Sequence, residues 1–254
     1  MKDQKVKDMR DYILQHHSVS LKELCDVFSL SMNTVRRYIN EITVDSNIKK
    51  VYGGVRVQSP VSSLSTFTER NQTQSRAKQL ISKKAAEFIK ENDIIYIDSG
   101  TTTMHMLDFI PDQLPVTVIT NSCHIINAAI DRPEITLISL PGILDRRTLS
   151  FNGENFKYLD ALNIHKAFMA CTGLNVHDGA TNSFSAEFTN KKIAVRKADQ
   201  IYLLVDSTKF GASTLMTYCP LSDIDYVITE KMPDQAFREA IEGYGNSLVL
   251  CDNN

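Results

Sequence analysis

From residue 94 to residue 250 the chain alternates short apolar runs with amphipathic stretches, and this alternation restricts the fold more than any other feature. Residues 94–98, 116–120, 135–140, 166–171, 201–205, 226–229 and 247–250 read as strands. Residues 102–109, 123–129, 187–198 and 233–242 read as helices between them. Apolar runs without a polar alternate fit strands covered on both faces. The spacing therefore predicts an α/β body around a mostly parallel sheet. Upstream, Ala77, Leu80, Ile81, Ala85, Phe88 and Ile89 lie on a helical stripe, which predicts a helix over 67–91.

In an open parallel sheet, ligands bind beyond the carboxyl ends of the strands, where the strand order reverses. The residues after each run therefore carry the functional expectation. The first run leads into Asp98, Ser99, Gly100, Thr101, Thr102 and Thr103 at a helix start. Gly100 permits a tight turn, and hydroxyls beside freed backbone N–H groups make an anion cradle; the same residues also serve as plain N-caps. The second run ends at Asn121 and Ser122, and the third at Pro141 and Gly142, with Asp145, Arg146 and Arg147 beyond. The fourth ends at Thr172 and Gly173, and the fifth at Asp206, Ser207, Thr208 and Lys209. Each loop alone is a weak signal. Together they describe a pocket for a phosphorylated sugar, with Arg147 or Lys209 for the phosphate and hydroxyls and amides for the polyol.

The start of the chain follows a different period. Val6, Met9, Ile13 and Leu14 recur at helical spacing over residues 3–16. Ser20, with Glu23 three residues on, forms a capping box ahead of a helix over 21–28 that buries Leu21, Leu24 and Phe28. Ser29-Leu30-Ser31 turns the chain, and Ser31 caps a third helix from 32 to about 44 with Val35, Ile39 and Ile42 inward. Two short helices joined by a tight turn make a helix-turn-helix, and residues 48–57, with Gly53 and Gly54, read as a hairpin wing. Asn33, Thr34, Arg36, Arg37 and Asn40 face outward on the third helix and suit base edges or phosphates. Lys49, Lys50 and Arg56 would add phosphate contacts from the wing. The same pattern also fits a small helical bundle with a solvated basic face.

Charge separates the two regions. The formal net charge of −2 argues against nucleic acid only if it is evenly spread. Residues 1–60 hold ten Lys or Arg against seven Asp or Glu, and the remainder eighteen against twenty-three. A basic head on an acidic body has the sign of a nucleic-acid-binding protein. Between them, Gln58-Ser59-Pro60-Val61-Ser62-Ser63-Leu64-Ser65 reads as a linker. At 43% hydrophobic and 23% charged, the chain is not a disordered one. No apolar run approaches the ~20 residues of a membrane span, the N-terminus has no apolar signal core, and the expected location is the cytoplasm. Cys25, Cys123, Cys171, Cys219 and Cys251 are scattered and odd in number, which predicts buried structural thiols and no disulfide framework.

Ser31-Met32-Asn33-Thr34-Val35-Arg36-Arg37-Tyr38-Ile39 and Val51-Tyr52-Gly53-Gly54-Val55 resemble the DNA-binding head of the DeoR family of bacterial transcriptional regulators. That family usually carries T-V-R-R-D-L on its recognition helix and R-x-H-G-G-A in its wing. Here Tyr38 stands where the family has Asp, and Tyr52 where it has His. Tyr38 either touches phosphate or packs against the wing. Ile48-Lys49-Lys50 replaces a more usual G-x-L-x-R. In the body, the segments starting at Asp98, Thr120, Lys166, Thr172 and Asp206 look like the sensor-domain motifs of the same family, whose fold is similar to ribose-5-phosphate isomerase. The resemblance implies a sugar-phosphate effector held by the Ser-Gly-Thr loop and Lys209. Pro141-Gly142 stands in place of a common Gly-Gly, and Met169-Ala170-Cys171 in place of L-G-A/V.

The isomerases of that fold carry a D-G-A-D-E-like run, and residues 171–180 here lack the paired acids. Asp98, Asp206 and Glu187 then orient ligand hydroxyls or cap helices instead of acting as a general base. His105, His124, His165 and His177 have no metal or triad spacing, and no cofactor or metal is expected. The expected organisation is a winged helix-turn-helix over 1–58, a linker and the start of a connecting helix over 59–75, and an isomerase-like α/β sensor over 76–254. The resemblance implies a repressor of a carbohydrate-utilisation operon, a dimer or tetramer on double-stranded operator DNA, relieved by the effector. Its DNA-facing residues would be Ser31, Asn33, Thr34, Arg36, Arg37, Tyr38, Asn40, Lys49, Lys50 and Tyr52. An activator, an isomerase-like enzyme and a scaffold that does not bind DNA are the alternatives.

Overall fold

The computed structural model describes residues 2–16, 18–43, 48–51, 53–57, 66–153 and 156–251. Two units, residues 1–63 and 64–254, each hold their own core.

The first unit contains α1 (Lys2–His16), β1 (Ser18–Ser20), α2 (Leu21–Phe28), α3 (Met32–Ile42), β2 (Ile48–Val51) and β3 (Gly54–Val57). Met9 and Ile13 of α1, Leu24 of α2, Val35, Ile39 and Ile42 of α3, and Ile48 and Val55 of the hairpin form its core. The Ser20 hydroxyl accepts from the Glu23 N–H at 3.1 Å. Only this half of the expected capping box is made, because the Glu23 carboxylate accepts from the Tyr12 hydroxyl at 3.2 Å. Helix α2 stops where Ser29 turns left-handed (φ 51, ψ 49), the place a glycine often fills. Ser31 then caps α3 by accepting from the Thr34 N–H at 3.4 Å.

Two features of this unit differ from the sequence reading. Tyr38, counted with the DNA-facing residues, is 6% exposed and belongs to the core. The reason is its spacing: Tyr38 follows Val35 by three and precedes Ile42 by four, so it completes the inward stripe of α3. Three-residue β1 also pairs antiparallel with β3, giving a sheet ordered β1-β3-β2. So short a strand carries no readable period.

The second unit opens with α4 (Phe67–Gln72) and α5 (Ser75–Ala86), followed by β4 (Ile94–Ile97), a tight 3₁₀ helix (Thr103–Phe109), β5 (Val116–Thr120), α6 (Cys123–Ala129) and β6 (Ile135–Ser139). The hairpin β7 (Ile143–Asp145) and β8 (Ser150–Asn152), then α7 (Phe156–Asp160), lead to β9 (Ile164–Ala170), β10 (Gly173–Asn175), β11 (Gly179–Asn182) and α8 (Ser185–Lys197). The chain closes with β12 (Ala198–Leu204), β13 (Met216–Cys219), β14 (Tyr226–Thr229), α9 (Gln235–Gly243) and β15 (Ser247–Leu250). The single helix expected over 67–91 is two helices, broken at Gln74 (φ 55, ψ 32), and it ends at Ala86. The stripe looked continuous because Ala77, Ile81 and Ala85 all fall within α5.

Seven strands make one parallel sheet in the order β15-β14-β12-β9-β4-β5-β6. Side chains alternate across it with period two. Tyr96, Ala167, Met169 and Leu203 face a layer that includes Ile193 of α8 and Phe237 and Ile241 of α9. Ile95, Ile97, Phe168, Tyr202 and Leu204 face Ile81 and Ala85 of α5 and Ile125 of α6. The chain runs outward from β4 through β5 to β6, returns to β9 on the other side of β4, and continues outward to β15. The strand order therefore reverses between β4 and β9. Among the described residues, no helix is long and apolar enough to cross a membrane.

Candidate functional site

At that reversal the ends of β4 and β9 are bolted together. Asp98 is 1% exposed; its Oδ2 accepts the Ala170 N–H at 3.0 Å and pairs with Lys191 of α8. Lys191 Nζ also donates to the Ala170 carbonyl at 2.9 Å. The backbones pass so closely that a Cβ on Gly100 would collide with the Cβ of Ala170, so only glycine fits there. Thr103, fully buried, donates its hydroxyl to the Asp98 carbonyl at 2.6 Å and to the Gly100 carbonyl at 3.0 Å, which fixes the loop.

Beyond this joint lies a cleft of about 490 Å³, measured out to its open mouth. Gly100, Thr101 and Thr102 after β4, Ala170 at the end of β9 with Cys171 and Thr172 after it, and Asp206 and Lys209 after β12 line it. Arg70 of α4, Thr73, Lys78 of α5, Asn182 of β11, and Glu187 and Lys191 of α8 complete it. The mix of fixed polar groups suits a small polar ligand.

Glu187, 4% exposed, is held in place by three donors. The Ser99 hydroxyl donates to its Oε1 at 2.9 Å, the Ser150 hydroxyl to the same oxygen at 3.4 Å, and the Asn182 amide to Oε2 at 3.2 Å. Asp206, 2% exposed, caps its turn by accepting from the Thr208 N–H at 3.1 Å. Lys191 is matched by Asp98, which leaves Arg70, Lys78 and Lys209 facing Glu187 and Asp206.

Burial works against the charged form of two of these cations. The guanidinium of Arg70 lies over Phe67 and Phe184, 5.6 and 5.3 Å from their ring centres, yet its buried Nε and Nη2 have no hydrogen-bond partner among the described residues. Burial lowers its pKa, against the pull of Glu187 and Asp98. Lys78 donates to the Arg70 carbonyl. Burial brings its ammonium down to about 8, with Asp206 opposing and Lys209 and Arg70 adding to the fall. Burial likewise pushes the Cys171 thiol up to about 12, so it stays protonated at neutral pH.

Of the residues expected at the effector site, Gly100, Thr101, Thr102, Asp206 and Lys209 line the cleft, and Asp98, Ser99 and Thr103 support it from beneath. The others are used elsewhere. Asn121, 1% exposed, accepts from the Tyr96 hydroxyl at 3.3 Å and donates to the Phe151 carbonyl at 3.2 Å. Ser122 caps α6. A Cβ on Gly142 would lie 2.8 Å from the Asn152 backbone, and one on Gly173 would strike Ala212, so both glycines serve close packing. Arg147 is corrected most plainly: it is paired with Asp145 at 3.1 Å and more than half exposed, and it is not among the cleft's lining residues. Asp145, two residues before it, satisfies it locally.

Sequence reasoning about strand ends had no route to Arg70, Thr73, Lys78, Asn182 or Lys191, which come from helices, a turn and a short antiparallel strand. Among the described residues no cluster of metal-ligating side chains forms. His165 accepts from the Ile94 N–H at 3.2 Å.

On the first unit, Ser31 is exposed at the N-cap of α3, Asn33, Arg36, Arg37 and Asn40 on α3 itself, and Lys49 and Lys50 on β2. Thr34 is half-buried, and its hydroxyl lies 2.9 Å from that of Ser31, so both serve the cap. The guanidinium of Arg37 sits 5.5 Å from the Tyr38 ring centre. Tyr52 lies outside the described residues.

Residues 6–61 match the model of the DeoR-like helix-turn-helix domain, and residues 73–231 match that of the DeoR C terminal sensor domain. The HTH-type transcriptional regulator IolR of Bacillus subtilis (strain 168) is 42% identical over 94% of this chain and 95% of its own. The glycerol-3-phosphate regulon repressor of Escherichia coli (strain K12) is 26% identical over 95% of this chain and 96% of its own. Among solved structures, ribose 5 phosphate isomerase A from Neisseria gonorrhoeae is similar over 56% of each chain, at 18% identity and a TM-score of 0.42. These relatives of full length regulate transcription, and the chain belongs to the DeoR family of helix-turn-helix transcriptional regulators, with a DNA-binding head followed by a C-terminal sensor domain.

Proposed function

We propose that the protein is a repressor of a carbohydrate-utilisation operon, and that a phosphorylated sugar in the cleft of the sensor domain releases it from operator DNA. The observation that carries this reading is a buried guanidinium, Arg70, with two donors unpaired among the described residues, beside a second buried cation, Lys78, in a cleft built where the strand order reverses. A phosphate gives the guanidinium a bidentate partner and keeps the ammonium charged. Thr101, Thr172, Asn182, Glu187 and Asp206 supply donors and acceptors for sugar hydroxyls. A regulator named for a glycerol-3-phosphate regulon among the relatives is in keeping with a phosphorylated effector.

In the head, Arg36, Arg37, Asn33 and Asn40 would read bases or grip phosphates from the major groove, and Lys49 and Lys50 would hold the backbone. A symmetric dimer or tetramer spaces the heads for paired half-sites. The effector acts only through its difference in affinity between the DNA-competent and DNA-incompetent states.

The test is a thermal-shift screen of sugar phosphates on the full chain, followed by operator release. A ligand at ~100 times its Kd adds about 2.7 kcal/mol to the folded state. Lys209→Ala and Thr101→Val should abolish release by that ligand and leave operator affinity unchanged. Normal release from both variants would remove the cleft from the mechanism.

A further inference from the structure

We propose that α4 is the element through which occupancy of the cleft reaches the linker: a bound anion takes Nε and Nη2 of Arg70 as a bidentate pair and fixes α4 against the body. The inference rests on the reading of the cleft as an anion site and adds the route by which that site is felt.

Helix α4 has six residues, far below the ~12–15 at which a helix holds itself in water. Its Thr66–Glu69 capping box is internal, with the Thr66 N–H donating to Glu69 Oε2 at 2.7 Å, and so does not tie it to anything else. What ties α4 to the body is a short set of contacts. The Phe67 N–H donates to the Arg147 carbonyl at 2.7 Å, and the Phe67 ring stacks on His124 at 4.4 Å. All the others described above run through Arg70: its carbonyl accepts from Lys78, and its guanidinium lies over Phe184.

That guanidinium is where the attachment is incomplete. Its two buried donors have no partner among the described residues, and the ammonium of Lys78, a second buried cation lining the same cleft, is held low first by burial and then by Lys209 and Arg70, with Asp206 opposing. An empty cleft therefore opposes the docking of α4 through unpaired donors and like-charge repulsion. An anion removes both costs at once. Lys209 lies in the turn after β12 and Lys191 on α8, so they gain from the same anion without moving the segment that joins the two units. Arg70 is the cleft cation four residues after Thr66, where the Ser-rich linker ends.

The test is hydrogen exchange on the full chain with and without saturating inorganic phosphate, read together with the thermal shift. In the wild type, phosphate should raise the melting temperature and slow the amides of 67–74 by about tenfold or more relative to those of α9. Arg70→Lys keeps the charge and loses the fork. It should still show a phosphate-induced thermal shift, although a smaller one, but no selective slowing at 67–74. Its melting temperature without phosphate reports whether it folds, and Arg70→Gln repeats the comparison without the charge. A thermal shift in the wild type with no change at 67–74, or slowing retained in Arg70→Lys, overturns the route through α4 and leaves the anion site standing. No thermal shift in the wild type overturns the anion site and this inference with it.

Discussion

Lys78 shows how one side chain makes the cleft sensitive to its contents. Its folded pKa, about 8, lies below the ordinary 10.5, chiefly because of burial. Between those values the unfolded chain binds the extra proton, so this group adds stability as pH rises through the window and costs stability below it. An anion in the cleft raises the folded value again. Phosphate binding should therefore take up a proton and weaken as pH rises above about 8. Titration calorimetry at about pH 9 in two buffers of different ionisation enthalpy measures that uptake; equal heats in both would take Lys78 out of the anion site. Lys78 was hidden in the sequence because it sits on the inward side of a helix rich in lysine and arginine, where a cation normally reads as solvated. Lys191 is hidden by a different pattern. Glutamate four residues ahead of lysine is the usual spacing of an exposed helix ion pair. Here both are buried and each bonds elsewhere, Glu187 to Ser99, Ser150 and Asn182, and Lys191 to Asp98 and Ala170. Thr101, Asp206 and Lys209 were readable because they directly follow apolar strands, and topology then assigns their place.

Among elements, the strands of the large sheet were the most legible, since each needs apolar side chains on both faces and stops where they stop. Residues 116–120, 226–229 and 247–250 were bounded as the structure has them. The short hairpin β7–β8 and the β10-β11-β13 sheet were not foreseen, because strands of three or four residues carry too few alternations to show a period. The break at Gln74 was invisible for a related reason: a left-handed residue that is not glycine or asparagine leaves no mark in composition. On α3 the two faces separate cleanly, with Val35, Tyr38, Ile39 and Ile42 inside and Arg36 and Arg37 outside. Replacing either arginine by alanine should weaken operator binding by about 1–3 kcal/mol if it reads a base. If it grips a phosphate, the slope of log affinity against log salt should fall by about 0.9 per contact. Unaltered affinity in the double variant would reject α3 as the reading helix, and a folded spectrum for both is expected because neither side chain is buried.

At the scale of the whole molecule, a net charge of −2 describes neither half, and a single stability would not either. The core of the head and the two apolar layers of the body are separate clusters. Calorimetry should resolve two unfolding transitions. Phe168→Ala, which empties the middle of the sheet, should lower only the body's transition by about 3–5 kcal/mol, and phosphate should raise only that one. A shift of both by the same ligand would mean that the two units unfold as one. The order of the elements along the chain has a consequence for synthesis. Every buried residue of the head's core precedes residue 56, whereas the cleft is unfinished until Lys209 has been added. At about 5–20 residues per second, the interval is on the order of ten seconds. A ribosome therefore presents a finished DNA-reading head before the sensor domain exists, and a message cut short within the body would yield a head with no sensor to govern it.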